Sequence, residues 1–378
     1  MSSRIPWYVV SLLLVGCGTI LWFFWDQIKK RRRQNKKEIF ISADCWLEVF
    51  DLLPPYQLGL EIAMISHRFD RRVDEHFKTR KWTLGDMEIR SKIGENGANE
   101  MELVNCANEK ALPIPQNPLS NKVIGFKRIL IYFFDRNVLT FLRHFLRFSS
   151  ICTTFLFIRT ENVQIAEFVV LTIWPMLKDS VRLMNLTAGT FRQMRELAPS
   201  LLNDCPSLHR ICIYDGILPE FPPDDSANLS DGQAVTKWLF TPLPNNLPKV
   251  LTCCMNSPVE EEQWATIVEQ IKAAFSNASA PLNFCIFISF RLSAPFDSVL
   301  PFELINQLTG EELILIKHAN AFKLFHCPIA HEEHIRWKKA MYSQLYARQN
   351  QIDISIRDDE VDESLLDDVC SAEPSGDH

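Results

Sequence analysis

Glycine is scarce in this chain, 12 of 378 residues, and the loops that cradle phosphate groups are built on glycine. No G-x-x-x-x-G-K-S/T loop, no G-x-G-x-x-G turn and no G-x-S-x-G elbow occurs, so the nucleotide-binding and serine-hydrolase signatures are missing. No two cysteines stand as C-x-x-C, and their number, 11, is odd. Neither a zinc-ribbon spacing nor a disulfide framework can be read from them. Apolar residues flank most thiols, as in Arg210-Ile211-Cys212-Ile213 and Phe284-Cys285-Ile286, which predicts buried free thiols in a reducing compartment. The nearest approach to a metalloprotease box, His331-Glu332-Glu333-His334, sets its histidines at i and i+3 where i and i+4 are needed, and no third ligand stands nearby. A net charge of −6 lacks the basic face of a general nucleic-acid binder. Together these absences point away from an enzyme and away from any metal or cofactor.

What is present is apolar. The chain is 47% hydrophobic, with 26 phenylalanines. That suffices for a sizeable core, and the length suggests two to three units at roughly 150 residues each. Residues 5–25 carry no charge and match the roughly 20 residues a helix needs to cross a bilayer. Trp7 and Tyr8 mark one end and Trp22 and Trp25 the other, and a basic flank follows from Lys29 to Lys37. Aromatic belts and positive cytoplasmic flanks predict a single-pass span with the bulk of the chain in the cytosol. A cleaved secretory signal, with Gly16-Cys17-Gly18 as its small-residue site, is the rival reading. At the other end, ten acidic residues after Ile352 face only Arg357, which predicts a solvated tail over 351–378.

Residues 41–77 hold the densest functional signal. Trp46, Leu47, Val49, Phe50 and Leu53 recur at helical spacing, with Asp44 or Ser42 as N-cap and Pro54-Pro55 as the stop. A second helix is predicted from Leu58 to Phe69, and a third through Val73, His76 and Phe77. A segment this short cannot bury so many large side chains on itself, so a partner is expected to cover some. The pattern resembles the F-box: a leading apolar residue, an acidic position, an aliphatic pair, a proline turn, then an Arg-aromatic pair (Arg68-Phe69) followed by Val73. The Leu-Pro that commonly opens the motif stands here as Ile41-Ser42. The resemblance extends to Arg80–Arg90, Leu300–Leu313 and Phe325–Ile329, which look like stretches of a large F-box group in parasitic nematodes. It implies a subunit that hands a target to a cullin-type ubiquitin ligase through a small adaptor protein. Carried over by position, Ile41, Trp46, Leu47, Val49, Phe50, Leu53 and Pro54 would face that adaptor.

Beyond the box, short apolar β-type runs alternate with helical stretches. The runs are 128–132, 154–158, 181–186, 209–214, 250–253 and 284–290; the helical stretches are 138–148, 165–177 and 191–202. Ile131, Phe157, Leu183 and Ile211, taken as equivalent points, lie 26, 26 and 28 residues apart, a period within the range of leucine-rich repeats. A curved parallel sheet backed by helices follows. Tyr132, Arg182, Asn185, Arg210 and Tyr214 are expected on its open face, where an unknown protein target would bind. From Phe284 the pattern turns to antiparallel strands, with a hairpin joining Phe302–Ile305 to Leu313–Lys317, then a helix from Glu332 to Tyr346.

The expected fold class is therefore α/β. Residues 1–37 form a transmembrane helix and basic flank, 38–84 a small helical F-box-like domain, and 85–290 a leucine-rich-repeat-like solenoid. An antiparallel cap with its helix spans 291–350, and an acidic tail spans 351–378. The expected role is a membrane-anchored, non-catalytic recruiting subunit that binds an adaptor, a cullin scaffold and a protein target. The alternative is a membrane-tethered binding or scaffold protein with no part in ubiquitin conjugation, its box serving only as the N-terminal cap of the repeats.

Overall fold

The structure, a computed structural model, describes residues 41–78, 82–93, 99–106, 110–115, 123–146, 154–160, 162–226, 229–256, 260–290, 300–318, 321–327, 335, 350–356 and 365. The expected span at 5–25, the sequence His331–His334 and most of the expected helix 332–346 lie outside them. Among the described residues no helix is long and apolar enough to cross a membrane. The chain divides into two units, Met1–Leu52 and Leu53–His378.

In the first unit, α1 spans Ala43–Asp51. Its N-cap is Ser42, whose hydroxyl accepts from the Cys45 amide at 3.3 Å; Asp44 lies inside the first turn.

The second unit opens with α2, which runs through Pro55–Gln57, a π-helical stretch Leu58–Ile62 and Ala63–Ile65. Pro55 starts it because its fixed φ suits the first helical position and its missing N–H would be unpartnered there anyway. The helix expected to continue to Phe69 stops at Ile65. Ser66 is extended, and its hydroxyl accepts from the Phe69 amide to cap a new helix, α3, His67–His76. Serine competes for backbone hydrogen bonds inside helices, and here it breaks one and caps the next.

The body is mixed α/β around a large, mostly parallel sheet. Its strands are β1 (Trp82–Thr83), β2 (Asp86–Ile93), β3 (Asn99–Asn105), β4 (Lys110–Pro113), β5 (Val123–Gly125), β6 (Arg128–Ile131), β7 (Thr154–Arg159), β8 (Val181–Thr187), β9 (Arg210–Tyr214), β10 (Lys249–Met255), β11 (Phe284–Phe290), β12 (Phe302–Ile305), β13 (Glu312–His318), β14 (Ala321–Cys327) and β15 (Gln351–Ser355). Among the described residues, β1 and β5 pair alone and the other 13 form one sheet, in the order β12-β13-β14-β11-β10-β9-β8-β7-β15-β6-β2-β3-β4. From β11 to β2 every pair is parallel; β14, β13 and β12 continue antiparallel at one end, β3 and β4 at the other.

Helices α4 (Arg136–Leu146), α5 (Val163–Phe168, continuing through Val169–Ile173 to Trp174–Leu177), α6 (Ala188–Leu197), α7 (Asp231–Phe240) and α8 (Glu261–Asn277) join the parallel strands. α4 packs on α5, α5 on α6 and α6 on α7, so the helices make a second layer. The side of the sheet against the helices buries Ile129 and Ile131, Leu156 and Ile158, Met184 and Leu186, and Ile211 and Ile213 in β6 to β9. The intervening residues are half-buried in β9 and β15. This one-sided alternation is what a sheet covered by helices on a single face requires.

Register corrects the equivalences expected from the repeat spacing. Ile131 aligns through Ile354 with Ile158, which aligns with Leu186 and then Ile213. The in-register steps are 27, 28 and 27 residues. Phe157 and Leu183 are one residue or more out of phase with Ile131, and a one-residue slip puts a side chain on the opposite face.

The larger correction concerns β15. Gln351–Ser355 was expected to begin the solvated tail, but it forms a strand inserted between β6 and β7, parallel to both. Ile352 and Ile354 join the apolar layer, while Gln351 and Asp353 stand on the other side. Asn350, at positive φ, accepts the Phe126 amide on its Oδ1 at 2.8 Å and anchors the strand's start. Gly125, at φ +143°, lies beneath that side chain, where an added Cβ would run into Asn350 Oδ1; only glycine fits both demands.

The expected hairpin is present, with Phe302 opposite Leu315 and Ile305 opposite Glu312. Asn306 holds its turn: Oδ1 accepts from Leu308 and Thr309, and Nδ2 donates to the carbonyls of Phe275 and Ala278 at the end of α8.

Lys249, at the start of β10, is 6% exposed. Its Nζ donates to the Trp238 carbonyl at 2.7 Å and sits 5.0 Å from the Trp238 ring centroid. Burial lowers its pKa from the ordinary 10.5 to about 8. Below pH 8 the ammonium is charged in folded and unfolded chain alike, and the folded state carries the full burial cost. Between about 8 and 10.5 the unfolded chain holds the extra proton, so this residue makes stability rise with pH. Lys249→Met is expected to flatten that rise and, after loss of the hydrogen bond and ring contact, to stabilise the fold by about 1–2 kcal/mol at pH 7. Urea unfolding of both proteins at pH 7 and pH 10 checks it; an unchanged slope with pH rejects the assignment.

Candidate functional site

Two regions gather the residues singled out in the sequence. The first is α1. Ile41 and Val49 are exposed (38% and 37%), as is the neighbouring Leu52 (65%). Trp46 and Leu47 are half-buried, and the Trp46 and Phe50 rings lie 6.2 Å apart. Phe50 is sealed at 1% exposure, so it cannot serve as an open anchor, contrary to the positional expectation. In the second unit, Leu53 is half-buried and Pro54 exposed.

The second region is the side of the sheet away from the helices. Parallel registry places Leu183 beside Arg210, Asn185 beside Cys212 and Thr187 beside Tyr214; Arg210 stands beside Val250, Cys212 beside Thr252 and Tyr214 beside Cys254. Asn185, Arg210 and Tyr214 are therefore brought together. Tyr132 follows β6, separated from β8 by β15 and β7, and is 36% exposed. Arg182 is exposed but out of phase with Asn185: where β7 meets β8, Thr154 pairs with Val181 and Phe155 with Leu183, skipping it. These two stand apart from the cluster.

Within the cluster the polar groups are interlocked. Arg210 donates from Nη2 to Thr252 Oγ1 at 3.1 Å, and burial lowers the guanidinium's pKa. Tyr214 shares side-chain hydrogen bonds with Asn185 and Cys212, and burial raises its phenol. Asn185 Oδ1 is buried and has no hydrogen-bond partner among the described residues. The hydrogen bond to Cys254, then burial, raises Cys212; the hydrogen bond from Cys212 is the largest effect lowering Cys254, helped by Ser289 and Arg210. Both thiols are half-buried, and Cys45 and Cys106 are exposed. Among the described cysteines, the burial expected of most thiols holds for Cys205, Cys253 and Cys285. Alternation along β9 and β10 was the available clue: residues flanked by Ile211, Ile213 and Cys253 had to face the other way.

A third feature carried no signal in the sequence. A cleft of about 330 Å3 is lined by Arg192, Arg195, Glu196, Glu220 and Asp231, among others. Its charges pair internally, Arg195 with Asp231 at 2.7 Å and Arg192 with Asp231 at 3.1 Å, and Ser230 bonds Glu220. It joins α6 to the start of α7. Among the described residues no group of three or more His, Cys, Asp or Glu side chains could hold a metal.

No protein-family model matches the chain, and no curated protein or solved structure matches it.

Proposed function

We propose that this chain is a non-catalytic, substrate-recruiting subunit of F-box type in a cullin-RING ubiquitin ligase. The α1 surface takes the adaptor, and the open sheet face takes a protein target. The uncharged run at 5–25 anchors the chain in a membrane, leaving the rest cytosolic. The βα units from β6 to β11 act as a leucine-rich-repeat-like solenoid, a reading supported by the near-constant in-register spacing from β6 to β9 and by β7 to β11 lying side by side in chain order, although the steps from Ile213 to Cys253 and from Cys253 to Ile288 lengthen to 40 and 35 residues. The observation that carries the proposal is α1, a short helix keeping Val49 exposed and Trp46 and Leu47 half-exposed within a segment resembling an F-box. The mechanism is positional: two proteins held by one chain meet at high effective concentration.

Each such anchor is worth roughly 2 kcal/mol or more on truncation. Trp46→Ala combined with Val49→Asp is therefore expected to weaken capture of a purified F-box adaptor by about 100-fold or more, with the unfolding midpoint of the body unchanged. Adaptor capture undiminished by the double variant, or absent in the wild type, rejects the reading. Absence in the wild type would favour a membrane-tethered scaffold protein without a ubiquitin role. The sealed Phe50 is the observation on that side.

A further inference from the structure

On the reading of the open sheet face as the target surface, we propose that Arg210 receives a carboxylate there, an Asp or Glu side chain on an extended segment of the target protein. Registry sets Arg210 on β9 between Leu183 on β8 and Val250 on β10. The next two rows of that face, from Asn185 to Phe287 and from Thr187 to Ser289, hold amide, hydroxyl, thiol and aromatic side chains and no Asp, Glu, Lys or Arg. The guanidinium is thus alone on the face of these four strands. Asp353, a carboxylate on the same side of the sheet, belongs to β15, three strands from β9, or about 14 Å at the usual strand spacing. Cys254, whose thiol is lowered by its neighbours, stands two rows from Arg210, about 13 Å along the strands.

Arg210 is half-buried, and among the described residues its one hydrogen bond runs from Nη2 to Thr252 Oγ1 at 3.1 Å. Its Nε and Nη1 make no such bond and are not sealed from solvent, so part of the donor fork stays open on the face. A guanidinium drawn partly out of water without a counter-charge costs the fold stability, and an anion delivered to it offsets that cost. The planar fork meets both oxygens of a carboxylate with parallel N–H bonds. Charge narrows the partner further. One guanidinium on an otherwise uncharged face matches a single negative charge. A phosphate group carries nearly two and is matched by a cluster of arginines, and a nucleic-acid backbone is held by several cations in a row. Thr252 holds the plane of the guanidinium. Tyr214, four residues along β9, offers an apolar ring with a polar tip to the residues that flank the acid.

The probe is a phage-displayed library of random linear peptides, panned against the full chain. The wild type is expected to select peptides with Asp or Glu at one fixed position, and Arg210→Glu to select Lys or Arg there. Changing the acid of a selected peptide to its amide should weaken binding to the wild-type chain by about 30-fold or more, a readout that no folding defect can confound. Arg210→Gln should bind the acid and amide peptides alike, and Arg210→Lys, which keeps the charge, should keep the preference for the acid. A preference for the acid that survives Arg210→Gln overturns the assignment. Peptides that lose binding with Tyr214→Ala, and so sit on this face, but show no acidic preference also overturn it and leave the face as a target surface. If no selected peptide is lost with Tyr214→Ala, the carboxylate and the target surface fall together. Adaptor capture by α1 is measured separately and is expected to be the same in every Arg210 variant.

Discussion

A chain ending at Asn350 is expected to show no cooperative unfolding transition at all. The residues lost include β15, which pairs in parallel with β6 on one side and β7 on the other. Without it those two strands face each other across an empty lane, and their ladder groups lose their partners. An unsatisfied buried backbone group costs about 1–3 kcal/mol. Ile352 and Ile354, each 1% exposed, contribute about 1.5–3 kcal/mol apiece by burial. The loss matches or exceeds the 5–15 kcal/mol that holds a typical domain. Point variants grade the effect: Ile352→Ala and Ile354→Ala should each cost about 2–5 kcal/mol. Urea denaturation followed by near-ultraviolet circular dichroism checks both. A truncated chain that unfolds at the wild-type midpoint would mean that β15 is dispensable to the sheet.

That strand explains what could and could not be read from the sequence. The apolar runs from β6 to β11 were legible because each is bounded by polar turns and followed by a helical pattern. The hairpin at Phe302–Lys317 was legible from its turn residues. β15 was not. Five residues with Ile352 and Ile354 as their only aliphatic members, leading into a run of acids, have the composition of a solvated segment. Their burial is decided by β6 and β7, some 200 residues earlier in the chain, a tertiary demand no local pattern carries. The β2–β3–β4 meander was missed for a similar reason: Glu88, Arg90, Glu102 and Asn105 dilute its alternation, and the Arg90–Glu102 ion pair that fits them together spans two strands.

The same limit applies to the sites. The spacing of α1 was readable, but the burial of Phe50 was not, since periodicity gives a face and not what covers it. Asn185, Arg210 and Tyr214 could be placed on one face from alternation, whereas Arg182 could not, because the irregular register between β7 and β8 shifts its phase. The meeting of Arg210 with Thr252 depends on the pairing of β9 with β10 across the long α7 connection, and neither residue's neighbours in sequence announce it.

Arg195→Met is expected to destabilise the fold by about 3–5 kcal/mol, the usual cost of leaving one member of a buried ion pair alone. Arg195 lies in α6 and is 5% exposed. Its Nη1 donates to Asp231 Oδ1 at 2.7 Å, and its two Nη atoms reach the carbonyls of Ser226 and Leu229 at 3.3–3.4 Å. One guanidinium thus ties α6 to the loop that feeds α7. Asp231 sits in the first turn of α7, where a carboxylate is favoured by the helix dipole. Without Arg195 it keeps Arg192, whose side chain is 65% exposed and whose attraction is weakened by solvent and salt. A methionine fills the volume but leaves the two carbonyls without their donor. Removing the acid as well, in Arg195→Met with Asp231→Leu, should cost less than the sum of the single changes. The difference, read from a double-mutant cycle in urea, isolates the pair. If Arg195→Met alone costs less than about 1 kcal/mol, the pair behaves as a surface contact, and the junction of α6 with α7 rests on the other packing between the two helices instead.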